Sequence, residues 1–249
     1  MDAARAHLET VTREGRDPLL GARRLAAQQR AAKDRVARLD AALAQLPEVV
    51  ATKKKNRAKD AVARVSTTDP DARVMKMGDG GFRPAYNVQF ATTADRARVI
   101  VGFDVTKAGT DMGQTTPMIA QVERRTGTRP NEILIDGGYT KHDAIDEAAA
   151  LGVTVVGPVP KPRVEGIDPH APHSGDSPPV AEWRARMVTD AAKQGEKDRA
   201  AVAETVNAEA KDKRGLQRLN VRGKDKVTTV VGLFVLTYNI LRLIALTTT

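Results

Sequence analysis

The stretch from Glu132 to Pro158, EILIDGGYTKHDAIDEAAALGVTVVGP, constrains the fold of this 249-residue chain more than any other. Residues 133–135 form a short apolar run, which is typical of a strand covered by helices on both faces. A helix-forming segment follows, and the valines of residues 153–156 predict a second buried strand. A strand, a helix and a strand in this order predict an α/β fold with helices packed on a sheet.

The turn between the first strand and the helix is where chemistry is expected. Asp136 follows directly on the strand, and the two glycines after it let the backbone turn sharply. In α/β units, ligands bind beyond the carboxyl ends of the strands, which is where Asp136 lies. A second interpretation stays open, in which Asp136 only accepts hydrogen bonds from amides of the turn. We expect Asp143 or Thr140 to cap the helix and Gly152 to end it.

The charge of the chain indicates a polyanionic partner. Its 40 lysines and arginines exceed its 31 aspartates and glutamates, which gives a net charge of +9 and a pI of about 9.9. Nucleic acid is the partner that such a charge favours, and a basic surface without a partner is the alternative. Because the chain has no cysteine, disulfides and thiolate metal sites are excluded, which fits a reducing cytoplasm. The opening MDAARAHLETVTREGRD has no apolar core, so we expect no secretory signal there.

The amino-terminal part of the chain is predicted to be helical. One long helix is expected from Asp17, with Pro18 in its first turn, to Leu46, and Pro47 is expected to end it. Apolar side chains recur within it at a four-three spacing, which is typical of a coiled-coil or helical-hairpin seam. These side chains are Leu25, Ala32, Val36, Leu39, Leu43 and Leu46.

The middle of the chain changes from helical to strand periodicity. Apolar and polar residues alternate in YNVQFATTAD, from Tyr86, which predicts a half-buried strand. RVIVGFDV, from Arg98, is expected to be its antiparallel neighbour, and a helix is predicted from Thr115 to Arg125. Prolines and glycines concentrate in residues 157–182, which predicts a loop or flexible insertion. A metal site on that loop is an alternative use of Asp168, His170 and His173.

The carboxyl-terminal residues 196–247 are predicted to be helical again. Between Lys211 and Lys226, seven basic residues oppose two acidic ones, so this segment is a candidate for phosphate contacts. The tail VTTVVGLFVLTYNILRLIAL is as long and apolar as a membrane span. Asn239 and Arg242 within it favour a buried packing helix over that alternative.

Four blocks of the sequence occur in an order that identifies a family. They are DPDARVMKMGDGGFRPAYNVQFATT, VTKAGTDMGQTTPMIAQVE, ILIDGGYTKHDAIDEAAALGVTVVGPV and DRAAVAETVNAEAKDKRGLQRLNVRGKDKV. Together they resemble the DDE transposases of bacterial insertion sequences, over roughly residues 68–243. The resemblance implies an RNase H-like core, a mixed five-stranded sheet flanked by helices, with three catalytic carboxylates at one rim. It also implies that residues 1–65 are a helical insertion and residues 66–249 a portion of the catalytic core.

The resemblance assigns roles to particular residues. Asp136 matches the second catalytic carboxylate, and Glu204 matches the third through the pattern R-x4-E-x-x-N-A that begins at Arg199. Both are expected to bind divalent metal, Mg²⁺ with Mn²⁺ as a substitute, because carboxylates suit these hard cations. Glu196 stands where related sequences usually have a tyrosine. The residues expected to contact the DNA backbone are Arg199, Lys211, Arg214, Arg218 and Arg222.

The first catalytic aspartate of the family has no counterpart in this sequence. It belongs to a first strand that precedes the inserted helices, and no such block occurs before Tyr86. Asp69, Asp71, Asp104 and Asp111 belong to other blocks. We therefore expect the carboxyl-terminal part of a transposase, inactive by itself, with exposed strand edges where the first strand is missing.

The partners that the resemblance implies are double-stranded DNA at the inverted-repeat ends of the element, and a second copy or an intact transposase; no membrane is expected. Two other classes of function stay open. One is a catalytically inactive DNA-binding remnant, or a repressor of transposition, which would bind DNA in a salt-sensitive way without cutting it. The other is a protein that associates with itself through the long helix and has no preference for DNA.

Overall fold

The computed structural model describes residues 1–14, 21–55, 62–162 and 164–248. These residues combine helices with small sheets, as the predicted α/β class requires. They form two compact units, of which the first is Met1–Tyr86 with Val221–Lys226. The second unit is Asn87–Asn220 with Val227–Thr249. The boundary that we predicted at residue 65 thus lies inside the first unit.

Two helices that pack against each other begin the first unit. They are α1 (Asp2–Glu14) and α2 (Ala22–Lys55). The side chains of the predicted seam of α2 are buried or half-buried, except Leu43, which is 49% exposed. Its neighbour Ala42 is buried instead. The predicted helix start at Asp17 and Pro18 lies outside the described residues.

Pro47 does not end α2, so that prediction is wrong. The helix passes through Pro47 and continues to Lys55. A proline inside a helix costs about 3 kcal/mol, because it cannot donate one hydrogen bond and its ring crowds the preceding turn. Arg73 makes contacts on either side of Pro47: it donates to Gln45 Oε1 at 2.8 Å and pairs with Glu48 Oε1 at 2.6 Å. Such tertiary contacts cannot be seen in the local sequence.

A hairpin completes the first unit and lies next to two aspartates that hold residues 221–226. The hairpin pairs β1 (Arg73–Lys76) with β2 (Phe82–Ala85) in antiparallel fashion. Just before β1, Asp69 Oδ2 accepts hydrogen bonds from the Tyr86 hydroxyl at 2.9 Å and from the Gly223 amide at 3.1 Å. Asp71 Oδ2 accepts one from the Lys224 amide at 3.1 Å, at the start of helix α7 (Lys224–Thr247). The two aspartates of the DPDA block therefore have a structural role.

The second unit contains two more pairs of strands, and these are not joined to each other. β3 (Asn87–Thr92) and β4 (Ile100–Thr106) are antiparallel, as predicted from their alternation. β5 (Glu132–Leu134) and β6 (Thr154–Val156) are parallel, as expected for a strand–helix–strand unit. Among the described residues, the strands thus form three two-stranded sheets and not one continuous sheet.

The helices next to these strands follow the prediction in position but not in capping. α3 spans Thr115–Thr126, and α4 spans His142–Ala150. Lys141 is the N-cap of α4 and makes no side-chain cap, so the prediction of a cap by Asp143 or Thr140 is wrong. The Thr140 hydroxyl instead donates to the Gly137 carbonyl at 2.8 Å. After α4 the chain turns at Gly152, whose φ of +73° suits glycine.

The end of the predicted loop of residues 157–182 is helical. α5 (Pro178–Arg186) begins inside it, because the Ser177 hydroxyl accepts a hydrogen bond from the Val180 amide and a proline suits the first helical turn. Trp183 on α5 is fully buried and donates from Nε1 to the Gly157 carbonyl at 3.0 Å. The core around Trp183 includes side chains of β6, α4 and α5.

Two long helices form the rest of the second unit. α6 (Asp190–Ala208) runs into a π-helical turn (Glu209–Lys213), and α7 follows. One side of α7 packs on Phe90 and Phe103, and the opposite side exposes apolar residues, with Leu233 at 59%. α7 is long and apolar enough to cross a membrane, which for a single helix is a weak indication. The predicted packing helix is therefore buried on one face only.

Candidate functional site

A cleft of about 650 Å³ opens in the second unit beside strands β3 and β5. Its walls are residues 87–94, which comprise β3 and the turn after it, and residues 132–136, which comprise β5 and the turn after it. α3 and α6 supply further lining side chains. The charged residues of the cleft are Asp111, Arg129, Glu132, Asp136, Arg199 and Lys211.

Asp136 lies in this cleft because β5 ends just before it. The Ile135 amide still donates to the Val156 carbonyl at 2.8 Å, and the chain then leaves the strand. Asp136 Oδ1 accepts a hydrogen bond from the Gly137 amide at 2.6 Å, so Asp136 does satisfy an amide of the turn, as one interpretation proposed. Its side chain is nevertheless 66% exposed at the cleft. The carboxylate is thus held by the turn and remains accessible to a ligand.

Asp111 is a second carboxylate of the cleft, and its sequence block did not predict a place in the site. Its Oδ1 accepts hydrogen bonds from Asn87 Nδ2 at 2.6 Å and Gln89 Nε2 at 3.2 Å. A Cβ atom on Gly138 would lie 3.2 Å from Asp111 Oδ2, so the second glycine of the DGGY turn lets Asp111 approach. The signal in the sequence was the pair of polar residues two apart on the predicted strand, both of which serve one carboxylate.

The charges of both carboxylates act on Tyr139. Burial raises the pKa of the Tyr139 phenol, and the negative charges of Asp111 and Asp136 raise this pKa further. The hydroxyl therefore stays protonated at physiological pH and keeps a proton to donate.

Arg199 places positive charge beside Asp136, and Lys211 lines the same cleft. Arg199 Nη2 lies 4.0 Å from Asp136 Oδ1, and the Arg199 side chain is 24% exposed. Within the described residues, Arg199 Nε is buried and has no hydrogen-bond partner. Lys211 follows on the π-helical turn, in which Arg214 donates from its amide to the Glu209 carbonyl at 3.1 Å. Such turns are frequent at functional sites.

The other predicted site residues do not line the cleft. On α6 the lining residues are Arg199, Val202, Ala203, Val206 and Asn207. Glu204 is exposed and lies outside this set, as do Arg214, which contacts Glu209, and the exposed Arg218. Arg222 belongs to the first unit. The structure thus brings Asp136 and Arg199 together and places Lys211 in the same cleft, and the pairing of Asp136 with Glu204 stays a prediction.

Residues 175–244 match the family model of the transposase DDE domain. The resemblance to a DDE transposase is confirmed. The match contains α5, α6 and most of α7, including Arg199, Glu204 and Lys211, whereas Asp111 and Asp136 precede it. No curated protein and no solved structure matches the chain. A DDE transposase domain indicates a function related to transposition.

DDE transposase domains generally use divalent metals, and the donors in this cleft are incomplete for a pair of them. Glu132 is four residues from Asp136 along the strand, or about 13 Å, which is too far to share an ion. Asp111 Oδ1 already accepts two amide hydrogen bonds. In the described part of the chain, no three His, Asp or Glu side chains are grouped to hold a metal. The metal-site alternative for Asp168, His170 and His173 is therefore wrong.

Proposed function

We propose that this chain acts in DNA transposition, as the carboxyl-terminal portion of the catalytic domain of a DDE transposase from a bacterial insertion sequence. In this proposal its cleft and the basic segment beyond it bind the backbone of double-stranded DNA at the ends of the element. The observation that carries the proposal is the position of Arg199 and Lys211, which belong to the matched family segment and line the same cleft as Asp136.

The chemistry of the cleft favours a phosphodiester. The buried Arg199 Nε is a donor without a partner among the described residues, and an anionic oxygen would satisfy it. Lys211 adds a second cation at the same cleft. Arg214 and Arg218 follow within a few residues and extend the positive charge along the chain. Contacts of this kind position a duplex and read no bases, so affinity should depend on salt more than on sequence.

The RNase H-like arrangement is part of the same proposal. β3–β4 and β5–β6 would be two portions of one sheet, with Asp136 at its rim. Asp136, with Glu204 turned toward it, would bind Mg²⁺ or Mn²⁺ in the complete enzyme that cleaves and transfers DNA strands. We expect the chain alone not to cut or join DNA, because Asp136 and Glu204 are only two of the three catalytic carboxylates, and groups that act together fail together.

The same incompleteness favours a second candidate, a DNA-binding remnant or repressor that occupies the ends of the element without cutting them. Homodimers, or mixed complexes with intact transposase, are the partners that this candidate requires. Self-association through the long helix has less support, because the seam of α2 is covered by α1 of the same chain.

Salt-dependent DNA binding tests the proposal. We expect a fluorescently labelled random duplex to bind with an affinity that falls steeply as salt rises. Lys211→Gln should reduce the slope of log affinity against log salt by about 0.9, the value for one phosphate contact. Lys193→Gln is the matched control, because Lys193 is an exposed lysine on α6 outside the cleft. Equal effects of the two variants, or binding that ignores salt, would contradict the proposed DNA site.

A nicking assay distinguishes the two candidates from an active enzyme. The purified chain is incubated with a duplex carrying the end of the element, in Mg²⁺ and separately in Mn²⁺, and we expect no cleavage. Cleavage that disappears in Asp136→Ala would show that the chain is complete and that another carboxylate, such as Asp111, fills the first position.

A further inference from the structure

Helix α7 packs on its own unit with one face only. The buried residues of that face follow one another at spacings of four, three and four, and they are Val227, Val231, Phe234 and Tyr238. The ring of Phe234 lies 5.5 Å from that of Phe90 on β3 and 5.9 Å from that of Tyr238. The packing inside the unit therefore uses one stripe of the helix.

The opposite face of α7 carries a second apolar stripe, which is exposed. Its large residues are 48–60% exposed at spacings of three, four and three, and they are Leu233, Leu236, Ile240 and Leu243. These four residues are called the outer stripe below. Single exposed apolar residues are common on protein surfaces, but a contiguous row of them marks an interaction site. The four-three period is the one with which a helix interlocks with a second helix.

Threonines beside and beyond the outer stripe tolerate being covered. The Thr237 hydroxyl donates to the Leu233 carbonyl at 2.9 Å, and the Thr247 hydroxyl to the Leu243 carbonyl at 3.1 Å. Because both hydroxyls already donate within the helix, a partner that covers them leaves no unpaired donor. The surface is thus suited to burial over its whole width.

The charges around the outer stripe exclude two kinds of partner. From Val227 to Thr247 the sequence has one charged residue, Arg242. Its guanidinium donates to the carbonyls of Ala97 at 2.9 Å and Arg96 at 2.8 Å, so it is used inside the unit. A stripe without cations does not attract a polyanion such as DNA. It also differs from helices that lie on membranes, which carry lysine and arginine beside their apolar face.

The spacing of the outer stripe is the same when it is read from either end. If two copies of α7 run antiparallel about a two-fold axis level with residue 238, Leu233 of one copy lies against Leu243 of the other. The same axis places Leu236 against Ile240. Each copy then uses the same patch, which is the condition for a closed two-fold dimer. The outer stripe is therefore complementary to itself.

The charges at the start of α7 favour the antiparallel direction. Lys224 and Lys226 lie in the first turn of the helix. A parallel pair would place these lysines beside those of the second copy, whereas an antiparallel pair separates them by about 36 Å, the length of the helix. The antiparallel direction also sets the two helix dipoles head to tail.

We propose that the outer stripe of α7 binds the outer stripe of a second copy of this chain, antiparallel, in a dimer with two-fold symmetry. The stripe is about 15 Å long and covers fewer turns than the seam of a stable coiled coil, so the dimer dissociates at micromolar concentrations. Among the described residues, those of α7 do not line the cleft. The dimer therefore forms whether or not the chain binds DNA.

Analytical ultracentrifugation without DNA tests the dimer. Over concentrations from about 2 to about 200 µM, we expect the mean mass to rise from the 26.8 kDa of one chain toward twice this value. Leu236→Glu should weaken association at least tenfold. Leu241→Glu is the matched control, because Leu241 is an exposed leucine of α7 outside the outer stripe, and it should have no effect. A single-chain mass at every concentration, or equal losses in the two variants, would overturn the proposal.

Disulfide formation tests the direction of the two helices, since the chain has no cysteine of its own. In the antiparallel dimer the two Leu233 positions lie about 15 Å apart, too far for a disulfide, which needs Cα atoms within about 7 Å. We expect Leu233→Cys to form a disulfide with Leu243→Cys when the two variants are mixed, and each variant alone to stay largely reduced. Mass spectrometry identifies the linked pair. A disulfide of each variant with itself, and none between the two, would overturn the antiparallel dimer.

Vesicles separate a second copy from a lipid surface as the occupant. The chain is mixed with vesicles of phosphatidylcholine and phosphatidylglycerol and sedimented with them. We expect no binding that depends on the outer stripe. Binding of a chain that stays monomeric in solution, together with loss of this binding in Leu236→Glu, would show that lipid covers the stripe and would overturn the proposal.

Discussion

Asp176→Ala should destabilise the second unit by about 3 kcal/mol, because Asp176 and Arg184 form an ion pair hidden from water. Arg184 Nε lies 2.8 Å from Asp176 Oδ2, and the two side chains are only 7% and 5% exposed. Asp176 Oδ2 also accepts the His173 amide at 2.9 Å. Removing one partner of a buried pair costs about 3–5 kcal/mol, since the other charge stays buried. We expect the lower end of this range of free energies, because Arg184 keeps its hydrogen bond to the Pro169 carbonyl at 2.8 Å.

Urea unfolding followed by tryptophan fluorescence measures this loss directly. Trp183 is the single tryptophan of the chain and lies next to Arg184, so its emission reports the second unit. We expect the midpoint to fall while the slope with urea stays constant. Glu182→Ala is the control, because Glu182 is 77% exposed in its pair with Arg186 and should contribute at most about 0.5 kcal/mol. A loss below about 1 kcal/mol for Asp176→Ala would refute the reasoning.

The pH dependence of the difference in unfolding free energy between wild type and Asp176→Ala gives an independent check. Burial opposes ionisation of Asp176, but the His173 amide and the Arg184 guanidinium outweigh it, so the pKa of Asp176 is lowered. A lowered pKa contributes stability that is complete above the unfolded value of about 3.9 and is lost as pH falls through the folded value. The difference between wild type and Asp176→Ala should therefore be constant from pH 7 to 5 and shrink below pH 4. A difference that grows on acidification would contradict this cause.

Two further substitutions test the packing of the same unit. Gly157→Ala should cost about 2 kcal/mol in urea unfolding, because its Cβ would lie 2.7 Å from Ile135 Cγ1 and 3.0 Å from the Ile135 carbonyl; Gly109→Ala, with no atom within 4 Å, should be neutral. Asn239→Ala should lower the free energy of unfolding by about 2 kcal/mol, because two hydrogen bonds to the backbone of Ile100 are lost. Amide exchange at Ile100 should become faster. Unchanged exchange there would show that Asn239 does not protect the backbone of Ile100.

The predictions that succeeded depended on short-range patterns. The alternation from Tyr86 placed β3 and β4, and the apolar run with its glycines placed Asp136 at the end of β5. Asp111 was missed because its partners Asn87 and Gln89 are 24 and 22 residues away in the chain. The sequence around Asp111 does not indicate that the side-chain amides of Asn87 and Gln89 donate hydrogen bonds to it.

The wrong prediction at Pro47 and the one-sided burial of α7 both depend on contacts that the local sequence does not show. Pro47 stays helical, and Arg73, distant in the sequence, contacts residues on both sides of it. The tail of the chain is apolar on every side, so its sequence has no period that distinguishes the packed face from the exposed one. At α6, the family pattern assigns Glu204 to the site, and Arg199 and Ala203 of the same helix line the cleft; the role of Glu204 stays a prediction.

The hydrogen bonds from the amides of residues 223 and 224 to Asp69 and Asp71 can form only late in the synthesis of the chain. They join positions 154 and 153 residues apart, so the first unit contains a piece that leaves the ribosome after almost all of the second. At about 15 residues per second the delay is on the order of 10 s. During that time the two aspartates lack the backbone amides of residues 223 and 224 as hydrogen-bond donors. A chaperone that binds nascent chains could therefore bind residues 62–86 before residues 221–226 of the same unit have been synthesised.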